Sequence, residues 1–138
     1  MKTITILPHI ADIRLKLEAD TLPELFEAGV TGMSNILKEN FCEENKEMTI
    51  RENVTIAATD PTFLLVDFLS EVLTLSYSLK ALFCRVQVKL LTANSIEAEI
   101  RGAPAVSLDE DIKAVTYHEA EVLRREDGKW ETVIVFDI

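Results

Sequence analysis

Apolar and polar residues alternate from Thr3 to Leu7 and from Ile13 to Leu17, a period of two that predicts two half-buried strands joined by Pro8-His9-Ile10-Ala11-Asp12. The period then changes. Leu22, Leu25, Phe26, Val30, Met33, Ile36 and Leu37 recur at helical spacing behind Thr21-Leu22-Pro23-Glu24, a capping box with proline in the first turn, so a helix is expected from Leu22 to about Leu37. Lys38 to Glu47 is the most polar stretch and reads as a solvated connection before a strand from about Met48 to Ala58. Asp60-Pro61 supplies an N-cap and an N1 proline for a second helix reaching about Tyr77. That helix is apolar almost all round. Only Asp67, Ser70, Glu71, Thr74 and Ser78 form a narrow polar stripe, so it is expected to be sandwiched with one exposed edge.

Alternating runs follow at Phe83 to Leu91, Ser95 to Arg101, Ile112 to Val115, Ala120 to Arg124 and Trp130 to Phe136, punctuated by Thr92-Ala93-Asn94, Gly102 to Pro104 and Asp127-Gly128. Strands this closely spaced need hairpin connections, because a parallel crossover takes about a dozen residues or more. The expected fold is α+β: a mostly antiparallel sheet of about six to eight strands with two principal helices packed on it. No internal repeat or linker divides residues 1–138, whose length suits one domain.

Composition narrows the function classes. With 24 Asp and Glu against 14 Lys and Arg, the net charge is −10, so a phosphate backbone is repelled at long range and direct nucleic-acid binding is not expected. No run approaches about 20 uninterrupted apolar residues, and no membrane span is expected. The N-terminal residues lack the h-region of a signal peptide. Cys42 and Cys84 form no CxxC pair and sit beside Phe41 and Phe83, which favours buried thiols in a reducing cytoplasm over a disulfide.

Neither a GxGxxG nor a GxxxxGK[ST] loop occurs, nor a nucleophile elbow or HExxH, so no local motif marks an independent enzyme. What remains are carboxylates at strand ends. Asp12 lies in the first link, and Asp137 follows the apolar run TVIVF and precedes Ile138, whose α-carboxylate adds a second charge; such oxygens suit Mg²⁺ or Ca²⁺, or simply a solvated strand end. In Asp109 to His118, a strand would turn Lys113, Val115 and Tyr117 to one face and Ala114, Thr116 and His118 to the other. Lys113 there serves either to neutralise nearby anions or to snorkel on a solvent face, and His118 is either functional or a hydrogen-bonded sheet histidine. Asp67 and Glu71 stand i,i+4, a like-charge pair that suits a cation lining, a docking surface or a plain exposed ridge.

His9-Ile10-Ala11-Asp12, Asp60 ahead of Leu64 to Glu71, Ile112-Lys113-Ala114-Val115-Thr116-Tyr117-His118 and the final Phe136-Asp137-Ile138, in this order across nearly the whole chain, resemble the archease family. Ile10 departs from the Thr or Ser usual there. The resemblance implies a non-catalytic accessory protein of the GTP-dependent tRNA-splicing RNA ligase, one that promotes guanylylation of the ligase and multiple turnovers. It implies a bound divalent cation, calcium first with magnesium or manganese as alternatives, on Asp12, Asp137 and Ile138. Lys113 corresponds to the family's functional lysine; His9, Asp60, Asp67, Glu71 and His118 are candidate site lining. The resemblance also leaves open a chaperone or modulator of other tRNA-processing enzymes, such as a tRNA methyltransferase. A stand-alone metal-dependent hydrolase ranks last, for want of a visible nucleophile and base.

Overall fold

A computed structural model of the chain describes residues 2–5 and 12–138. In chain order the elements are β1 (Asp12–Ala19), α1 (Leu22–Leu37), α2 (Phe41–Glu44), β2 (Ile50–Ala57), α3 (Pro61–Leu79), β3 (Ala81–Leu91), β4 (Ser95–Pro104), β5 (Ala114–Thr116), β6 (Leu123–Arg124) and β7 (Trp130–Asp137). The expected first strand is not formed at Thr3, Ile4 and Thr5; Ile6, Leu7 and the His9 to Ala11 part of the link lie outside the described residues. The polar connection after α1 contains one helical turn, α2, entered through Asn40 in the left-handed region at φ 60°.

The fold is α+β, with its strands in two antiparallel sheets instead of one. β1, β7 and β5 form the first in that order, with β6 also on β7, and β2, β4 and β3 form the second. The division follows from α3, whose residues Leu64, Leu65, Val66, Phe68, Leu69, Val72 and Leu73 are all buried. A helix apolar on so many sides needs partners on more than one side, and α3 meets β2, β3 and β4 of one sheet and β5 of the other. By length and composition α3 would also qualify as a membrane span; its packing here is that of a core helix.

α1 closes the open edge of β3. Thr31 Oγ1 donates to the Cys84 carbonyl at 2.9 Å, Ser34 Oγ donates to the Phe83 carbonyl at 2.6 Å, and Glu27 Oε2 accepts from the Val86 N–H at 3.0 Å. These side chains satisfy backbone groups that an edge strand would otherwise leave unpaired. The close approach of α1 to β1 and α3 uses Gly29, where an added Cβ would meet Leu69 side-chain carbons at 3.1 and 3.2 Å and Leu17 Cδ1 at 3.4 Å.

The reading of Cys42 and Cys84 as separate thiols is overturned: the two are joined as a disulfide, their Cα atoms 5.6 Å apart. It fastens α2 to β3 at the register shift between Phe83 and Arg85. Asn35 Oδ1 accepts the Cys42 N–H at 3.1 Å, which sets α2 against the end of α1. Sequence separation carries no distance, so the single turn that delivers Cys42 had to be seen in three dimensions.

Candidate functional site

β7 is the central strand of its sheet, and its last residue, Asp137, has Asp12 of β1 as its partner on one side and Ala114 of β5 on the other. Directly opposed residues of an antiparallel pair share a face, so the Asp12 and Asp137 side chains stand side by side, both exposed. The inward neighbours Ile13 and Phe136 pair beneath them, with Phe136 fully buried. The Lys113 N–H donates to the Asp137 carbonyl at 2.7 Å, so the chain turns onto β5 at this strand end. Ile138 is half-buried beyond it.

Segment 111–122 is held against α3 by Tyr77 and Thr62, which sequence reasoning did not single out, and by Tyr117 on the candidate Asp67. The Tyr77 hydroxyl lies 2.8 Å from both Asp111 Oδ1 and the Ile112 carbonyl, sharing its proton between them, and accepts the Ile112 N–H at 2.8 Å. Burial and the adjoining Asp111 carboxylate push this phenol up to about 12. Tyr117 donates its hydroxyl to Asp67, which raises the Tyr117 pKa, and packs on Phe63 with ring planes tilted by 50° and centroids 5.1 Å apart. Thr62 Oγ1 accepts from the Val122 N–H at 2.9 Å. Only Ala114–Thr116 are strand, and Val115 is buried while Lys113, Ala114, Tyr117 and His118 are all exposed, so the two-faced alternation expected from Lys113 to His118 does not extend through the segment. Tyr77 on the apolar helix and Tyr117 in the segment after it are both polar-tipped aromatics, residues that pack an apolar ring while the hydroxyl finds a hydrogen-bond partner.

Other candidates are engaged elsewhere. Asp60 is the N-cap of α3, its carboxylate accepting from the Phe63 N–H at 2.9 Å. His118 is exposed, and its backbone N–H donates to Thr116 Oγ1 at 3.3 Å. Glu71 is exposed one turn beyond Asp67. His9 lies outside the described residues. Glu119 is occupied by a two-pronged pair with Arg14 at 2.8 and 2.9 Å on the same face as Asp12. Among the described residues no three His, Cys, Asp or Glu side chains gather into a metal-holding group, so Asp67 and Glu71 do not join the Asp12–Asp137 pair.

Two adjacent carboxylates with main-chain oxygens nearby form an all-oxygen donor set, which fits a hard cation such as Ca²⁺ and not a soft metal. Residues 5–138 match the archease protein family. The chain belongs to the archease family. Archeases of Methanosarcina mazei, 31% identical over 96% of this chain and 93% of that protein, and of Thermococcus kodakarensis, 29% identical over 94% of each, are among its relatives. The archease fold is also that of two solved structures. Protein 1598 of Methanobacterium thermoautotrophicum superposes with a TM-score of 0.73 at 23% identity, covering 96% of both chains. A Thermotoga maritima crystal structure described as "an archease, possible chaperone" superposes at 0.64 and 20% identity, covering 100% of this chain and 99% of that one.

Proposed function

We propose that this archease is a non-catalytic activator of a GTP-dependent tRNA-splicing RNA ligase, promoting guanylylation of the ligase and allowing repeated turnovers. The observation that carries this reading is the direct opposition of Asp12 and Asp137 at the strand end where the Lys113 N–H meets the Asp137 carbonyl. In this reading Asp12, Asp137 and the main-chain oxygen of Ile138 hold a divalent cation, calcium first. When bound, the cation supplies charge neutralisation and order at this end of the sheet. The chain's own residues do the positioning: β1 and β5 fix Asp137 from both sides, and Tyr77 and Tyr117 hold the Lys113 segment against α3. Lys113 offers a compact charge to phosphates in the ligase. Nucleotidyl transfer is helped chiefly by positioning and charge neutralisation, so a protein supplying these from outside raises the rate without a nucleophile of its own.

The test is transfer of labelled guanylate from GTP to the ligase of the same organism. The intact chain is expected to accelerate labelling at substoichiometric amounts, and Asp137→Asn and Lys113→Ala to lose that effect. Equal labelling with and without the chain refutes the proposal.

A chaperone or modulator of another tRNA-processing enzyme, such as a methyltransferase, is the second reading. It draws on fully exposed Val106 and on Leu108 around a groove of about 200 Å³ lined by Leu37, Tyr77 and Leu82. Suppression of a client's aggregation that is unaffected by Asp12→Asn would favour it.

A further inference from the structure

The outer face of the β2–β4–β3 sheet carries a row that local rules would forbid. Arg51 of β2 stands directly opposite Arg101 of β4, and Arg101 stands directly opposite Arg85 of β3. Three arginine side chains therefore leave the same face in one row across three strands, their Cα atoms spanning about 10 Å at ordinary strand spacing. Like charges directly opposite one another are destabilising, and this protein has 24 acidic residues with which to avoid them. The next row shows the usual complementarity: Asn53, Glu99 and Gln87 face one another there.

Only the central arginine is tied down. Arg101 Nε donates to Glu99 Oε1 at 2.7 Å and its Nη2 donates to Gln87 Oε1 at 3.1 Å. Among the described residues, Arg51 and Arg85 have no carboxylate within 4 Å, and both are exposed. Lys89, at the second irregularity of β3, reaches Asn53 Oδ1 at 3.3 Å and adds a fourth cation to the face. The Arg101 hydrogen bond, with Arg51 and Lys89 close by, holds the Glu99 carboxyl below its usual range, so this carboxylate is already shared by several cations. Glu97 is the second acid of the face, opposite Leu90, which is 51% exposed.

We propose that this face docks an acidic segment of a partner protein, whose carboxylates pair with Arg51 and Arg85 while an apolar side chain packs beside Leu90. The chemistry selects that occupant. Guanidinium forks match carboxylates two-pronged, and three arginines to one lysine beside an exposed leucine is the composition of a protein interface. A single-stranded nucleic acid would want aromatic side chains for its bases, and this face has none. The proposal does not depend on the Asp12–Asp137 site.

The test is fluorescence anisotropy of the whole protein with labelled poly-L-glutamate of about 20 residues, at low salt and near physiological salt. Binding is expected at low salt, falling as salt rises. It should weaken by about tenfold or more in R51Q/R85Q and stay unchanged in K16Q/K129Q, which removes the same net charge from β1 and the turn before β7. R51Q/R85Q should unfold at the same temperature as the parent or higher, because it relieves the opposed charges. Four results would overturn the proposal: no binding of poly-L-glutamate at low salt, equal binding by R51Q/R85Q, tighter binding of a labelled oligouridylate of the same length, or salt-sensitive self-association that R51Q/R85Q abolishes, which would make the occupant a second copy of this chain.

Discussion

Asp12 and Asp137 are direct partners across the β1–β7 ladder, two carboxylates on one exposed face at the end of a strand whose other residues are largely buried. Opposed like charges cost a few tenths to about 1 kcal/mol when nothing lies between them. Asp12→Asn is therefore expected to raise the unfolding free energy by about that amount in chelator-treated buffer. Added calcium should stabilise the parent and leave the variant unmoved; denaturant unfolding with and without calcium measures both.

Cys42 and Cys84 close a loop of 42 residues, so their disulfide limits the unfolded chain. The chain-entropy relation gives about 4 kcal/mol for a loop of this length. Urea unfolding before and after reduction should show a loss of that order, and C42S/C84S should reproduce the reduced midpoint without reductant.

Ser34 is fully buried and its hydroxyl donates to the Phe83 carbonyl on the edge of β3. Ser34→Ala leaves that carbonyl without its partner at little change in volume, and a loss of about 1–3 kcal/mol is expected from urea unfolding.

Tyr77 holds Ile112 through both its N–H and its carbonyl, immediately before Lys113. Its pKa in the folded chain is about 12 against an ordinary 10.0, so the folded state keeps the phenolic proton that the unfolded state gives up between those values. The stabilisation is present in full below pH 10 and is lost as pH rises toward 12. Unfolding free energy should fall across that window in the parent, and this part of the fall should be missing in Tyr77→Phe. The same variant should also weaken ligase activation, because the Lys113 segment loses its tether.

The helices and most strands were legible because their signals are local. Thr21 does cap α1, accepting the Glu24 N–H at 3.3 Å, and α1 spans the expected Leu22–Leu37. Asp60-Pro61 opens α3, which runs two residues past the expected Tyr77. β3, β4 and β7 lie where alternation put them, extended by one to three residues at their ends. Long-range relations were not legible. Alternation tells which residues share a face but not which strands neighbour, so the split into two sheets, the Arg51–Arg101–Arg85 row and the disulfide all needed the register. At the candidate site, the motifs pointed to Asp12, Asp137 and Lys113, whereas Tyr77 and Tyr117 emerged only when α3 was seen lying along segment 111–122.

The most direct test of the account is the number of RNA joining events per ligase molecule when this archease is added below the ligase concentration. The account predicts that a ligase limited to about one event without it proceeds through many with it, and that Asp137→Asn or Lys113→Ala returns the count to the unassisted value. An unchanged count with a competent ligase, or an equal rise with either variant, would contradict it.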